Sequence, residues 1–157
     1  MDTTNEMERT IRSTREFNVS REQLFEAWSN AEYLKSWWGP NGFTNTFHEF
    51  DFKVGGMWKF TMHGPDKGHY ENEVEFTSID APTCIAWKRY SKPLFGVRAD
   101  FTRVDSNKTR LDFNMIFDTV EECAKLRPYV VDKNEENFDR LEKVLGWMGE
   151  NNLSGKV

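Results

Sequence analysis

Hydrophobic and polar residues alternate along most of the chain between residues 46 and 118, and the clearest row runs from Leu111 to Phe117. Successive side chains of a β-strand point to opposite faces, so this pattern predicts strands with one buried face and one face in water. Gly55-Gly56 precedes one of these strands and predicts a tight turn with positive φ. With a further strand at 9–18, we expect about seven antiparallel strands.

Helical signals follow the first strand. Ser20 is a predicted N-cap for a helix over 21–29, because a hydroxyl there can accept a bond from a free backbone N–H. Asn30 is a predicted N-cap for a second short helix that runs to Trp37-Trp38. The Gly39-Pro40-Asn41-Gly42 run then favours a turn over further helix.

The C-terminal part of the chain predicts two more helices. Thr119 and Glu122 form a capping box for a helix that Pro128 is expected to end. Asn134 is then the predicted N-cap of a last helix over about 135–149. Its apolar stripe has helical spacing and consists of Phe138, Leu141, Val144, Leu145 and Met148.

Together these elements predict a single α+β domain over residues 1–157, with a core at about 9–149 and flexible ends. The expected architecture is a curved antiparallel sheet of about six or seven strands, with two short helices after the first strand. The long C-terminal helix is amphipathic, so it can cover the apolar face of the sheet.

Composition excludes several classes of protein. Aromatic residues make up 15% of the chain, whereas disordered segments are poor in them. A net charge of −5 argues against a nucleic-acid partner and against docking on anionic lipid. No apolar run approaches the ~20 residues of a membrane helix, and the polar N-terminus does not resemble a signal peptide. Because the two cysteines, Cys84 and Cys123, are isolated, we expect a cytoplasmic protein.

The usual signatures of catalysis and of metal or nucleotide binding are missing from the sequence. His63 and His69 could meet across a short loop, but no third ligand follows at a useful spacing, and zinc needs at least three. There is no GxSxG elbow, no Walker A motif and no GxGxxG motif. We therefore predict no metal, no cofactor and no catalytic residue, although a dyad of distant residues stays open.

The excess of aromatic residues on inward positions is the most informative feature. These rings form either a filled core or the lining of a cavity for a small molecule, and the pattern leaves both open. Asn72 favours a cavity, because it shares the inward row of Tyr70 and Val74 and a buried amide without a partner costs about 1–3 kcal/mol. The aromatic residues concerned are Trp37, Trp38, Trp58, Phe60, Trp87, Phe101, Phe113 and Phe117.

Several motifs carry a resemblance to a known family. Residues 37–43, Trp-Trp-Gly-Pro-Asn-Gly-Phe, resemble a signature of the START-like (SRPBCC, Bet v 1-like) superfamily. Residues 51–60 resemble, more narrowly, the Asp-x-Arg-x-Gly-Gly hairpin of the activator of heat-shock protein 90 ATPase homologue family, with Lys53 where arginine is usual. Residues 62–72 and the closing stretch 137–141 are similar to further segments of that family.

The resemblance implies a helix-grip fold with a hydrophobic tunnel between the sheet and the long helix. Relatives in the wider superfamily bind lipids, sterols or polyketides, and some are cyclases or aromatases. The candidate cavity residues that follow, with His63 either at the mouth or in solvent, are Trp38, Trp58, Phe60, Met62, His63, Tyr70, Asn72, Trp87, Phe101, Phe113, Met115, Phe138 and Leu141.

The expected function is binding of a small hydrophobic or aromatic molecule. One alternative is an enzyme of polyketide cyclase or aromatase type that uses the same cavity, with His63 or Asp51 as its acid or base. A second alternative is a module that interacts with a chaperone ATPase. Exposed strand edges in such a sheet can pair, which leaves a homodimer open.

Overall fold

Seven antiparallel strands form one sheet in the computed structural model, which describes the backbone of residues 3–155 and the side chains of residues 6–148. In space the strands are ordered β1-β7-β6-β5-β4-β3-β2. This confirms the predicted antiparallel sheet and its number of strands. The strands are β1 Thr10–Phe17, β2 Thr44–Phe50, β3 Met57–His63, β4 His69–Asp80, β5 Cys84–Arg89, β6 Phe95–Asp105 and β7 Lys108–Phe117.

Four helices accompany the sheet: α1 Thr3–Glu8, α2 Arg21–Ser29, α3 Ala31–Trp37 and α4 Val120–Gly155. The predicted N-caps of α2 and α3 are present. The Ser20 hydroxyl accepts from the Gln23 N–H at 3.1 Å, and the Asn30 side chain accepts from the Glu32 N–H at 3.0 Å. The short helix α1 has no counterpart in the sequence prediction, because six residues are too few to show a periodic apolar stripe.

The C-terminal helix is continuous, so the prediction that Pro128 ends one helix and Asn134 begins another is wrong. Proline in a helix interior costs about 3 kcal/mol, because it removes one backbone hydrogen bond and crowds the preceding turn. Apolar contacts with the core on both sides of the proline, through Leu126 and Val130, offset that cost. Asn134 therefore lies inside the helix, where its amide donates to the Ser13 hydroxyl at 3.1 Å.

The concave face of the sheet is filled by aromatic rings that α2, α3 and α4 cover. Trp28 of α2 is 2% exposed, and its ring lies 4.9 Å from that of Trp37 and 5.7 Å from that of Phe101. On the opposite side, Phe138 of α4 meets Phe113 edge to face at 6.0 Å. Such pairs add stability beyond the area they bury. The inward row predicted from the alternation is thus the core of the fold.

The turn between β2 and β3 needs its two glycines for different reasons. Gly55 has a φ of 85°, which confirms the positive φ predicted for this turn, whereas Gly56 does not have a positive φ. Gly56 is needed for close approach instead, because a Cβ atom there would overlap the backbone carbonyl of Asp51. The turn is closed by a bond of 2.8 Å from the Gly56 N–H to the Lys53 carbonyl.

Asp112 on β7 joins the first and the last strand of the chain, β1 and β7, which are neighbours in the sheet. Its carboxylate accepts from Arg12 at 2.8 Å, from Thr14 at 2.9 Å and from Arg110 at 3.3 Å. Burial raises the pKa of Asp112, but the hydrogen bonds from these three side chains outweigh it and the net pKa is lowered. The ionised form therefore stabilises the fold.

Asp112→Asn should remove a stabilisation that is present above the unfolded-state pKa of about 3.9 and is lost as the pH falls through the lower folded-state pKa. We expect the variant to be about 1–2 kcal/mol less stable at pH 7, because charge-assisted bonds are lost. Urea unfolding between pH 7 and pH 3 should show this gap closing as the pH falls. The exposed Asp132→Asn is the control, and a gap for Asp112→Asn that stays constant over this range would contradict the assignment.

Among the described residues, no helix combines the length and the apolar character needed to cross a membrane.

Candidate functional site

A cleft of about 610 Å³ opens at the end of the concave face, between the β3–β4 hairpin and the loop that joins β5 to β6. Asn72 is buried at 5% exposure, whereas Tyr70 is 46% exposed. The cleft therefore runs from solvent to the edge of the core. Its apolar lining is Phe43, Met62, Pro93 and Phe95, and its polar lining is His69, Tyr70, Glu71, Asn72, Arg89 and Lys92.

The hairpin side of the cleft is fixed by Asp66 at the turn. Its carboxylate accepts from the Gly68 N–H at 2.9 Å and from the Tyr70 hydroxyl at 2.8 Å. These bonds, first that from Gly68, lower the pKa of Asp66, and the bond to Asp66 raises the pKa of Tyr70. The phenol proton of Tyr70 is thus already engaged, and its ring packs on Phe43 with centroids 6.1 Å apart.

The opposite side of the cleft is held by Arg89, the last residue of β5. Its guanidinium donates to the carbonyls of Pro93 at 2.9 Å and Lys92 at 3.1 Å, and also to the Asn72 side-chain oxygen. The same group lies 5.4 Å from the centre of the Phe95 ring. Arg89 therefore connects the loop to the inner end of β4 and presents a cation to the cleft.

Burial lowers the pKa of Arg89 to about 10. The loss of hydration disfavours the charged form of any cation, and a nearby carboxylate normally compensates for it. Among the described side chains, no carboxylate oxygen lies within 4.0 Å of Arg89. The group is still protonated at neutral pH, so the cleft contains a partly desolvated positive charge.

Arg140 of α4 positions the chain segment that carries Phe43. Its guanidinium donates to five backbone carbonyls, and Asn137 beside it accepts from the Gly39 N–H at 3.1 Å. Burial lowers the pKa of Arg140. The carbonyls belong to Ser36, Trp38, Gly39, Pro40 and Phe43.

Twelve of the thirteen sequence-predicted cavity residues separate into three groups in the structure. Met62, Tyr70 and Asn72 line the cleft. Trp38 is half-buried against the core, with its ring 5.3 Å from that of Trp58 and 5.6 Å from that of Trp87. Eight others are buried in the core: Trp58, Phe60, Trp87, Phe101, Phe113, Met115, Phe138 and Leu141.

His63, the remaining predicted residue, lies beside the cleft and does not line it. Its Nδ1 is 2.7 Å from Nδ1 of His69, and its Nε2 is 2.8 Å from the Thr46 hydroxyl. The predicted meeting of His63 and His69 across the hairpin loop is therefore observed. Among the described residues, no group of three or more His, Cys, Asp or Glu side chains is arranged to hold a metal ion.

Two indole N–H groups in the core lack an acceptor among the described side chains and backbone. They belong to Trp28 and Trp58, and both rings are in contact with Trp38 and Trp87. A buried donor without a partner costs about 1–3 kcal/mol. Asn72, in contrast, bonds to Tyr70 and Arg89. The two indole N–H groups are therefore the donors to which an acceptor placed near Trp38 would bond.

The sequence reading missed Arg89, although a signal for it was present. Arg89 follows Ile85 and Trp87 at the same period of two, so it occupies an inward position on β5. A charged residue at such a position indicates a paired or functional group. Arg140 gave no comparable signal, because its partners are about a hundred residues away in the chain.

A second depression, of about 670 Å³, involves the other face of the sheet. Its lining includes the outward side chains of Lys88 and Arg98, together with Leu94, which is 37% exposed. It is larger than the cleft and shares Arg89 and Phe95 with it, but its lining does not include the inner polar groups Asn72 and Tyr70. We therefore take the smaller cleft as the candidate site.

Comparisons with known proteins agree with this architecture. A solved structure from Arthrobacter aurescens aligns with a TM-score of 0.81 and 21% identity, covering 91% of this chain and 89% of that chain. A structure from Nitrosomonas europaea has a TM-score of 0.83 and 17% identity, with coverages of 91% and 97%. A third, from Staphylococcus epidermidis, has a TM-score of 0.79 and 22% identity, with coverages of 89% and 91%. At these identities the likeness shows the fold.

A comparison with curated proteins found no match. A family model described as Activator of Hsp90 ATPase homolog 1-like protein matches residues 18–146. This match spans most of the chain and confirms the resemblance carried by the motifs at residues 37–43 and 51–60. The chain therefore belongs to the family of activator of Hsp90 ATPase homolog 1-like proteins.

Proposed function

We propose that this protein binds a small molecule with an aromatic or hydrophobic body in the cleft between the β3–β4 hairpin and the β5–β6 loop. The observation that carries the proposal is the convergence of apolar side chains with a few fixed polar groups at one opening. Ligand sites in proteins have this composition, and their volumes usually lie at about 300–1,000 Å³. The cleft volume of about 610 Å³ falls within that range.

Pre-organised walls support this proposal. Asp66 fixes Tyr70 on one side, Arg140 fixes the segment of Phe43 on the other, and Arg89 holds the loop of Pro93. A ligand that enters a site already held in shape loses less free energy to ordering of the protein. The eight predicted residues that lie in the core support the walls from behind.

Isothermal titration with 2-naphthamide, a neutral bicyclic probe, tests the proposal. We expect saturable binding to the wild type, and we expect Phe43→Ala to weaken it about tenfold because apolar contact area is lost from the cleft. The control is Leu94→Ala, which truncates an apolar side chain at the other depression and should leave the affinity unchanged. Equal losses in both variants, or no binding to the wild type, would contradict the proposal.

The enzymatic and chaperone alternatives stay predictions. His63 and Asp51, the candidate acid–base residues, are both outside the lining of the cleft. The name of the family refers to activation of an Hsp90 ATPase, and an unchanged chaperone ATPase rate at saturating concentrations of this protein would count against that alternative. The homodimer and the cytoplasmic location also stay predictions.

A further inference from the structure

The cation in the cleft is the feature that the proposed function leaves unexplained. Arg89 is at an inward position on the sheet, yet it has no carboxylate within 4.0 Å among the side chains of residues 6–148. Arg15 gives the contrast, because its guanidinium approaches Glu135 at 2.7 Å and Asp139 at 2.9 Å. The fold thus neutralises one inward arginine and not the other.

The bonds that Arg89 does make leave part of its donor capacity unused. A guanidinium carries five N–H groups, and Arg89 directs one each at the Pro93 carbonyl, the Lys92 carbonyl and the Asn72 side-chain oxygen. All three acceptors are neutral. These bonds leave two N–H groups and the full positive charge of Arg89, which lines the cleft, without an anionic partner, and a carboxylate is the group that accepts two such donors most favourably.

The other formal charges in the lining of the cleft cancel, which leaves that of Arg89. Lys92 lines the opening with an exposed ammonium group, and His69 is exposed on the hairpin side. Glu71 is the carboxylate in the lining, and its side chain is exposed. With histidine neutral, Arg89 and Lys92 against Glu71 give the lining a formal charge of +1. The protein as a whole has a net charge of −5, so the lining differs in sign from the net charge of the protein.

We propose that the ligand of this cleft is an organic acid, whose aromatic or hydrophobic body packs on Phe43 and Phe95 and whose carboxylate binds Arg89. This inference rests on the proposed function and narrows it to one chemical class. The apolar lining takes the body of the ligand, and the unneutralised guanidinium takes its charged end. Desolvation of the cation, which lowers the pKa of Arg89 to about 10, strengthens its attraction for an anion over what exposed lysines provide.

The test compares 2-naphthoate with 2-naphthamide, which has the same ring system without the charge. At pH 7.5 we expect the wild type to bind the acid at least about tenfold more tightly, since charge-assisted bonds are about twice as strong as neutral ones. Arg89→Gln should abolish the preference for the acid, so that the ratio of the two affinities falls to about one. Lys92→Gln, at the exposed cation of the same cleft, should change the affinity for the acid only slightly.

The outcomes separate this inference from the proposed function. If both probes bind the wild type with equal affinity, the inference that the ligand is an organic acid is overturned and the proposed function stands. If neither binds, both fail. If Arg89→Gln retains the preference for the acid, the assignment to Arg89 is overturned.

Arg89→Gln could lose the fold of the loop, because Arg89 also bonds to Lys92 and Pro93. The Nε–Hε signal of Arg89 in a ¹⁵N–¹H spectrum of the wild type gives an independent readout. It should shift with both probes, because both place a ring in the cleft, and the shift with 2-naphthoate should be clearly the larger. Equal shifts, or no shift with the acid, would overturn the proposal without use of a variant.

Discussion

Arg140→Ala is expected to lower the free energy of unfolding by about 3 kcal/mol, which corresponds to a fall in Tm of roughly 6–12 °C for a chain of this size. The guanidinium of Arg140 satisfies five backbone carbonyls of the segment between α3 and β2 at distances of 2.7 to 3.3 Å. Removing it leaves partly buried acceptors without a donor. It also releases the segment that carries Phe43, so probe binding should weaken as well.

Two further variants make this expectation specific. Arg140→Lys keeps the charge but lacks the planar fork that reaches several carbonyls at once, so it should recover only part of the lost stability. Arg103→Ala removes an exposed arginine with no hydrogen bond or ion pair among the described residues and should stay within about 0.5 kcal/mol of the wild type. Urea unfolding measures the free energy of unfolding of all three variants. A loss for Arg140→Ala as small as that for Arg103→Ala would refute the role of Arg140.

Gly56→Ala should be the most damaging small substitution, with a loss of about 3 kcal/mol or more. The added Cβ would overlap the Asp51 carbonyl, and backbone atoms cannot be moved aside as the end of a flexible side chain can. The β2–β3 turn would have to open, and its bonds from Gly56 to Lys53 and from Asp51 to Met57 would be lost.

The neighbouring glycine is a matched control for Gly56. At Gly55 an added Cβ would meet no atom within 4 Å, but the φ of 85° is unfavourable for alanine. Gly55→Ala should therefore cost only about 1–2 kcal/mol, the usual price of a left-handed residue. Thermal and urea unfolding of the two variants give the comparison. Equal losses would mean that backbone conformation, and not the approach of the Asp51 carbonyl, governs this turn.

The sequence predicted the sheet well because its signals are local. Strand alternation is a property of neighbouring residues, and the row from Leu111 to Phe117 therefore gave β7 its inward face directly. The caps at Ser20, Asn30 and Thr119 are also local and were all correctly placed. These elements could be predicted without knowledge of the fold.

The errors occur where distant contacts override local preference. Pro128 breaks helices in isolation, but core contacts of Leu126 and Val130 keep α4 continuous. The cleft was harder still, because its lining combines the β3–β4 hairpin, the β5–β6 loop and the segment of Phe43, which are distant in the chain. The periodicity identified the aromatic rings that are buried. It could not show that these rings pack on one another and that the cleft lies at the edge of the core they form.

The order of strands in the sheet also constrains when the protein can fold. β1 and β2 are successive in the chain but lie at opposite edges, and β1 pairs only with β7, with Thr10 opposite Ile116. During synthesis at about 5–20 residues per second, β1 would wait roughly 5–20 seconds for its partner strand to be made. Throughout that time Ile11 and Phe17, both buried in the finished protein, would be exposed on an unpaired strand. Slow translation of the C-terminal half should therefore favour aggregation, whereas refolding of the complete chain avoids this delay.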